Sequence, residues 1–220
     1  MRKYTELTPT DLGGSIVKEY LSTMAKSITR KNSTRKEMIS LAAARLFREK
    51  GFNATGMRDV ADAVGIEAAS LYNHIRSKSE LLQEICFRVA NEFHAQLNEL
   101  DQKPNLNSLD RLTAVIRQHI HMWVTRLDEV IVANNESKYL DDPYNATFQN
   151  ERKVYARRLE QIIEDGIKKG QIRKVKPYVV VQTILSAVRG IEFWHRTKKN
   201  ISIEDLTSTM ISHLIEGLKK

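Results

Sequence analysis

The chain has 220 residues, 41% hydrophobic and 28% charged, with 35 Lys+Arg against 27 Asp+Glu and a formal charge of +8. That composition is ordinary for a folded protein and excludes collagen-like, mucin-like and disordered chains. The single cysteine, Cys86, excludes a disulfide framework and any Cys-rich zinc or iron–sulfur module. No run approaches the roughly 20 apolar residues of a membrane span.

The first 32 residues read as a basic extension. Residues 1–36 carry eight bases and three acids, and Lys26, Arg30, Lys31, Arg35 and Lys36 follow one another without an acid between them. Such an arm can track DNA phosphates or enter a minor groove, the alternative being a solvated tail. Ile16, Tyr20, Met24 and Ile28 recur at helical spacing and hint at an extra helix inside it. No apolar h-region follows Met1-Arg2-Lys3, so a secretory signal is not expected and the cytoplasm is the expected compartment.

Everything beyond reads as helices. Ile39, Ala42, Ala43, Leu46 and Phe47 mark one amphipathic face, opened by a Thr34/Glu37 capping box and stopped by Gly51. A very short helix follows, with Thr55 as expected N-cap, Val60, Ala61 and Val64 as its face and Gly65 as its end. Another covers about Ala68 to Ile75. Ser77 and Glu80 then open a long helix whose inner face includes Leu82, Ile85, Cys86, Val89 and Phe93. After Pro104, helices are expected at about 108–126, 128–139, 144–169, 177–198 and 203–218, with Gly170 as a stop, Pro177 at a first turn and Ser202/Asp205 as a cap. The expected organisation is all-α: a basic extension at 1–32, a three-helix DNA-binding unit at 33–80, and a helical ligand-binding and dimerisation body at 81–220.

The chemistry concentrates between Thr55 and Lys78. Two helices of about two turns, joined by Val64-Gly65-Ile66-Glu67, are too short to stand alone and must pack on a neighbour. Helix, Gly-containing turn, helix is the helix-turn-helix pattern, whose second helix enters the DNA major groove. In that second helix, small Ala68 and Ala69 permit close approach to base edges, and Ser70, Tyr72, Asn73 and His74 can hydrogen-bond to base or phosphate. Arg58 is the base-reading candidate, because Arg bidentate to guanine is the commonest specific contact. Lys78, in the first turn of the next helix, adds a cation to free backbone N–H groups, an arrangement suited to a phosphate. Pattern alone leaves a helical hairpin without nucleic acid as an equal reading.

The stretch Thr34–Leu82 resembles the DNA-binding domain of TetR-type transcriptional regulators. The matching positions are Ala43-x-x-Leu46-Phe47-x-x-x-Gly51-Phe52-x-x-Thr55, then Val60-Ala61-x-x-Val64-Gly65-Ile66, then Ser70-Leu71-Tyr72-x-His74-Ile75-x-x-Lys78-x-x-Leu81-Leu82. The resemblance implies that Arg58, Ala68, Ala69, Tyr72 and His74 face an operator, with Thr55, Ser70 and Lys78 on the DNA backbone. Gly56 departs from the usual Thr or Ser, removing one phosphate contact, and Ile75 replaces the usual Phe. It further implies a homodimer through the last two helices and a small-molecule effector in the body. Val179, Val180, Val181, Ile184, Leu185, Val188, Ile191 and Trp194 fit such a helix, apolar on more than one face, and the final helix offers Leu206, Met210, Leu214 and Leu218.

Polar residues on apolar faces are the effector-pocket candidates: His119 in line with Leu112, Ile116 and Trp123, Asn134 after Val130 and Ile131, and Tyr155 in line with Phe148, Leu159 and Ile162. Each alone reads equally as a hydrogen-bonded core residue, and Trp123 and Trp194 as core tryptophans. The C-terminal half also resembles TetR-type regulators of lipid and acyl-CoA metabolism, on Gly166-x-x-x-Gly170, Leu185-x-x-x-x-Gly190 and Trp194-His195-Arg196. That points to an acyl-CoA or another hydrophobic acid as effector. Lys168 to Lys176, with Arg157 and Arg158, are candidates to meet a CoA phosphate, against the alternative of a solvated helix end.

Enzyme signals are missing. No G-x-G-x-x-G, Walker A loop or G-x-S-x-G elbow occurs. Cys86 lies on an apolar face, His119 and His121 point to different faces, and Asp141-Asp142 sit in an expected turn. No catalytic residue, metal site, cofactor or membrane partner is expected. The expected function is a ligand-responsive DNA-binding repressor on a palindromic operator; a helical enzyme or carrier of a hydrophobic metabolite is the alternative.

Overall fold

The computed structural model describes residues 34–193 and 201–220. The helix hinted at in the extension, Lys26, Arg30 and Lys31 of the arm, and Trp194-His195-Arg196 lie outside the described residues. Ile39–Lys220 form one compact unit.

Among the described residues nine α-helices follow one another: α1 (Arg35–Lys50), α2 (Met57–Val64), α3 (Ala68–Leu71), α4 (Lys78–Asp101), α5 (Ser108–Thr125), α6 (Leu127–Asn135), α7 (Tyr144–Lys168), α8 (Pro177–Arg189) and α9 (Ile203–Glu216). A 3₁₀ turn, Ser137–Tyr139, follows α6. The extended structure present is one isolated antiparallel bridge, Ile172 to Lys219. No helix among the described residues is long and apolar enough to cross a membrane.

Caps set the boundaries. The Thr34 Oγ accepts the Glu37 N–H at 3.2 Å at the head of α1. Gly65, at φ 72°, ends α2 in the left-handed region, where a Cβ would be strained, and its N–H returns to the carbonyls of Ala61 and Asp62. Ser77 caps α4 by accepting the Glu80 N–H at 3.1 Å, while the Glu80 carboxylate accepts the Arg76 N–H at 2.7 Å.

Four boundaries differ from expectation, the first being α6, which ends at Asn135 and gives way to the 3₁₀ turn short of 139. The cap of α2 is Gly56, not Thr55: the Asp59 carboxylate accepts the Gly56 N–H at 2.7 Å and pairs with Lys50 at 3.0 Å. Those partners, the Gly56 N–H foremost, hold the Asp59 carboxyl below its ordinary range. α3 stops at Leu71, because the Asn73 and His74 N–H groups tighten onto the carbonyls of Ser70 and Leu71 as 3₁₀ bonds. α8 closes at Arg189, where the Gly190 N–H reaches the Ser186 and Ala187 carbonyls; residues 191–193 are helical again, and the rest of the expected stretch to 198 lies outside the described residues.

From Ile39 onward the core is continuous. α1 buries Ile39, Ala43, Leu46 and Phe47, and α4 runs on from the short helices to bury Leu81, Leu82, Ile85, Cys86, Val89, Leu97 and Leu100. α4 packs on α5, α6 and α7, and α5 packs in turn on α7, α8 and α9. The Leu206, Met210, Leu214 and Leu218 stripe of the last helix and the residues after it faces inward, with Met210 and Leu218 buried. Val181, Ile184 and Val188 of α8 are buried, while Tyr178 and Val179 are 62% and 57% exposed.

Gly166 marks the tightest approach at the far end of α7. A Cβ there would lie 2.5 Å from Ile172 Cδ1 and 2.8 Å from Ser108 Cβ. Overpacking of this kind costs about 1–3 kcal/mol, against up to about 1 kcal/mol of helix propensity regained. Gly166→Ala is therefore expected to lower the urea midpoint; a raised midpoint contradicts the close packing.

Candidate nucleic-acid interface and effector cavity

The α2–α3 pair presents an exposed polar face built by its own packing. Val60, Ala61, Leu71 and Ile75 are buried. That leaves Arg58, Ala69, Ser70, Tyr72, Asn73 and His74 exposed and Ala68 half-buried. Tyr72 is 54% exposed and is not a core tyrosine. Arg76, passed over in the sequence, is also exposed, one residue before the cap of α4. Its only signal was its charge beside Ser77.

Two residues expected on the DNA backbone make hydrogen bonds inside the fold. Thr55 is 1% exposed, its hydroxyl 2.9 Å from the Gly51 carbonyl and 3.3 Å from that of Leu46. The Lys78 ammonium donates to the carbonyls of Phe52 at 2.9 Å, Asn53 at 3.4 Å and Thr55 at 2.9 Å, and lies 4.5 Å from the Phe52 ring centre. An ammonium has three protons, and all three are aimed at the α1–α2 turn. In this arrangement Lys78 braces that turn. Lys78→Met is expected to cost about 2–3 kcal/mol, from several charge-assisted bonds to partly exposed carbonyls. If it instead flattens the salt dependence of DNA binding at unchanged stability, Lys78 is a phosphate contact after all.

A cavity of about 230 Å³ opens in the body between α4, α5, α6, α7 and α8. All four candidates, His119 and Trp123 of α5, Asn134 of α6 and Tyr155 of α7, line it. His119 and Tyr155 share a hydrogen bond of 3.0 Å, its direction set by the imidazole tautomer, and Phe93 stacks on the His119 ring at 4.3 Å. Burial pushes the imidazole down to about 4 and the Tyr155 phenol upward, so both are neutral near pH 7. Phe93, Trp123, Val130 and Phe148 supply apolar wall.

The bases singled out from the sequence do not reach this cavity. Arg157 pairs with Glu160 and Glu164 at 2.8 Å, Arg158 with Asp101 at 2.8 Å, and none of Lys168 to Lys176 lines the space. Arg152 and Arg189 line it instead. The sequence signal was available: Arg152 stands four residues from Phe148, and Arg189 seven from Gln182, on cavity-facing helical spacing.

The α6 segment touches both regions. Val130, Ala133 and Asn134 line the cavity. Glu129, 2% exposed, accepts from Arg88 at 3.1 Å, and Arg88 also donates to Ser40 of α1 at 2.8 Å. Beyond α6, the Glu136 carboxylate accepts the Phe52 N–H at 2.8 Å, and Tyr139 stacks on the Phe52 ring at 5.6 Å. Arg48 of α1 pairs with Asp128 at 2.9 Å. Elsewhere, Cys86 is buried and its thiol is pushed up to about 12, an inert state, and the described residues hold no cluster of His, Cys, Asp and Glu suited to a metal ion.

Both the helix-turn-helix stretch and the helical body are similar to known proteins. Residues 39–85 match the family model for bacterial regulatory proteins of the tetR family, and residues 105–218 match the tetracyclin repressor-like C-terminal domain. The HTH-type transcriptional repressor KstR2 of Rhodococcus jostii is 27% identical over 190 residues, covering 86% of this chain and 92% of that protein. KstR2 of Mycobacterium tuberculosis (H37Rv) is 25% identical over 194 residues, covering 86% and 94%. The crystal structure of AibR in complex with isovaleryl coenzyme A and operator DNA is 30% identical with a TM-score of 0.71, covering 83% of this chain and 98% of that one. The ketosteroid regulator KstR2 of M. tuberculosis shares the fold at a TM-score of 0.79 and 22% identity, covering 86% and 97%. With a DNA-reading unit and a helical body that both match, the chain belongs to the TetR family of helix-turn-helix transcriptional regulators, which are not enzymes.

Proposed function

We propose that the protein is a homodimeric repressor that binds a palindromic operator and releases it when a small hydrophobic effector, an acyl-CoA or another hydrophobic acid, occupies the cavity of the body. The observation that carries the reading is the α6 segment. Its Val130, Ala133 and Asn134 line the cavity, while Glu129 and Glu136 hold α4 and the α1–α2 turn. A ligand that alters the seat of α6 acts on the supports of the reading head. It shifts the equilibrium only by binding the released conformation more tightly than the operator-bound one. His119, Trp123, Asn134 and Tyr155 are the proposed effector contacts.

On the DNA side, Arg58, Ala68, Ala69, Ser70, Tyr72, Asn73 and His74 are the proposed contacts. Two recognition helices about one helical turn apart, roughly 34–36 Å, then read successive major grooves. The exposed Tyr178 and Val179 on α8 support pairing there, since large apolar residues side by side on one helix favour a partner. On α9 the small Ser208, Thr209 and Ser212 are among the outward residues and allow close helix approach.

Selecting bound duplexes from a random pool, then repeating the selection with a series of acyl-CoAs, tests the reading. Recovery of a palindrome that the effector releases is the expected result; no enrichment overturns it. Arg58→Ala is expected to weaken the selected duplex by about 1–3 kcal/mol and relax one base position in each half-site. Unchanged specificity removes Arg58 from the base-reading set.

A further inference from the structure

The cavity carries two cations whose charge the described residues do not neutralise. Arg152 has no hydrogen bond and no carboxylate within ion-pair distance among them; its contact is the Phe148 ring, at 6.0 Å from the guanidinium carbon. Arg189 donates to the neutral amide of Asn135 at 2.9 Å, which leaves its charge intact. The carboxylate lining the cavity, Glu151, is engaged by His94 at 3.1 Å. Both arginines are exposed, whereas His119 and Tyr155 are buried, so the guanidinium groups stand at the mouth and the neutral pair inside. The two guanidinium groups also feel each other: partial burial, then the charge of Arg189, draws Arg152 below its ordinary value.

Like charges held together at the edge of an apolar cavity are costly unless an anion comes between them. We propose that Arg152 and Arg189 form an anion subsite at the cavity mouth, so that the effector is an amphipathic anion with its apolar part inside and its charged group between the two guanidinium forks. The inference rests on the effector reading above and deepens it, because it assigns the charged group of the acid to two named residues at the cavity mouth and requires that group for binding. A space of about 230 Å³ lies below the roughly 300–1,000 Å³ of pockets that enclose whole drug-sized ligands. A short or medium acyl group fits it, and a nucleotide does not. The charged group is therefore either the carboxylate of a free acid or a phosphate of a CoA thioester whose nucleotide stays outside. In either case the planar forks suit the oxygens of the anion.

The test uses the full-length protein, with calorimetric titration and melting temperature as readouts. The probes are straight-chain carboxylates of four to twelve carbons, the matching primary amides, the matching CoA thioesters and CoA alone. At least one anionic series is expected to bind and raise the melting temperature, and its amide counterpart to bind at least tenfold more weakly. Arg152→Gln and Arg189→Gln are each expected to weaken the anion by about 10- to 100-fold, the scale of a lost charge-assisted bond. Arg157→Gln, on the same helix but away from the cavity, is the control and is expected to bind as the parent does. Binding of free acids assigns the subsite to a carboxylate; binding confined to thioesters assigns it to a phosphate. Equal binding of amides and anions, no binding by any anion, or full affinity in both glutamine variants overturns the subsite. Operator binding, measured in parallel, separates the two readings: variants that hold the selected duplex but ignore the anion support the subsite, and loss of selective DNA binding by the parent protein counts against the regulator itself.

Discussion

Arg88→Met is expected to destabilise the protein by about 3–5 kcal/mol, the cost of stranding a buried charge whose partner has been removed. Arg88 leaves α4 toward two neighbours at once, donating to Glu129 of α6 at 3.1 Å and to Ser40 of α1 at 2.8 Å. Glu129 is 2% exposed and Ser40 fully buried, so water cannot replace the guanidinium in either bond. Methionine keeps most of the aliphatic stem and leaves the carboxylate without a counter-charge. A typical domain is stable by about 5–15 kcal/mol, so this one change removes a large part of the margin. The measurement is a urea transition, with a shifted midpoint at unchanged slope. Adding Glu129→Gln to Arg88→Met is expected to recover part of the loss, because a neutral amide is cheaper to bury than a carboxylate. A loss below about 1 kcal/mol, or no recovery in the double variant, means that the three helices are not tied together by this pair.

The same contacts show why part of the site was legible in sequence and part was not. Helical periodicity and capping boxes are local, so Thr34/Glu37, Ser77/Glu80, Gly65 and Gly170 announce the helix ends, and the polar residues between Ala69 and His74 announce an exposed face. His119, Trp123, Asn134 and Tyr155 were recognisable singly as polar or aromatic residues on apolar faces. Their meeting in one cavity depends on the packing of α5, α6 and α7, which no local spacing encodes. Lys78 and Thr55 make bonds that the sequence does not announce. A lysine in a first helical turn looks available to a phosphate, but its three bonds run to residues 52–55, a quarter of a hundred positions upstream and invisible to a reading of neighbours. Charge content misled in the same way. The run from Lys168 to Lys176 is the denser signal, yet the cations that line the cavity are the isolated Arg152 and Arg189.

Acidification between pH 6.5 and 5 is expected to weaken the folded state, and His119→Gln to remove much of that loss. The sign follows from where protons bind. Burial holds the folded His119 ring at about 4, whereas the unfolded ring takes up a proton near pH 6.5. Between those values the unfolded chain binds more protons, so stability is present above pH 6.5 and falls as pH drops toward 4. The full effect is about 3 kcal/mol, of which about 1.5 kcal/mol appears between pH 6.5 and 5. That upper stretch is the informative one, because most carboxylates are still ionised there, and Asp59 loses its contribution only below its ordinary range. His121 is also lowered by burial, with Glu92 opposing, so a smaller slope of the same sign remains in the variant. The comparison is of slopes, since glutamine also loses the Phe93 stack and the bond to Tyr155 at neutral pH. If the parent and His119→Gln lose stability in parallel from pH 6.5 to 5, the ring is not held neutral in the core, and the polar pair inside the cavity is not there to meet a ligand.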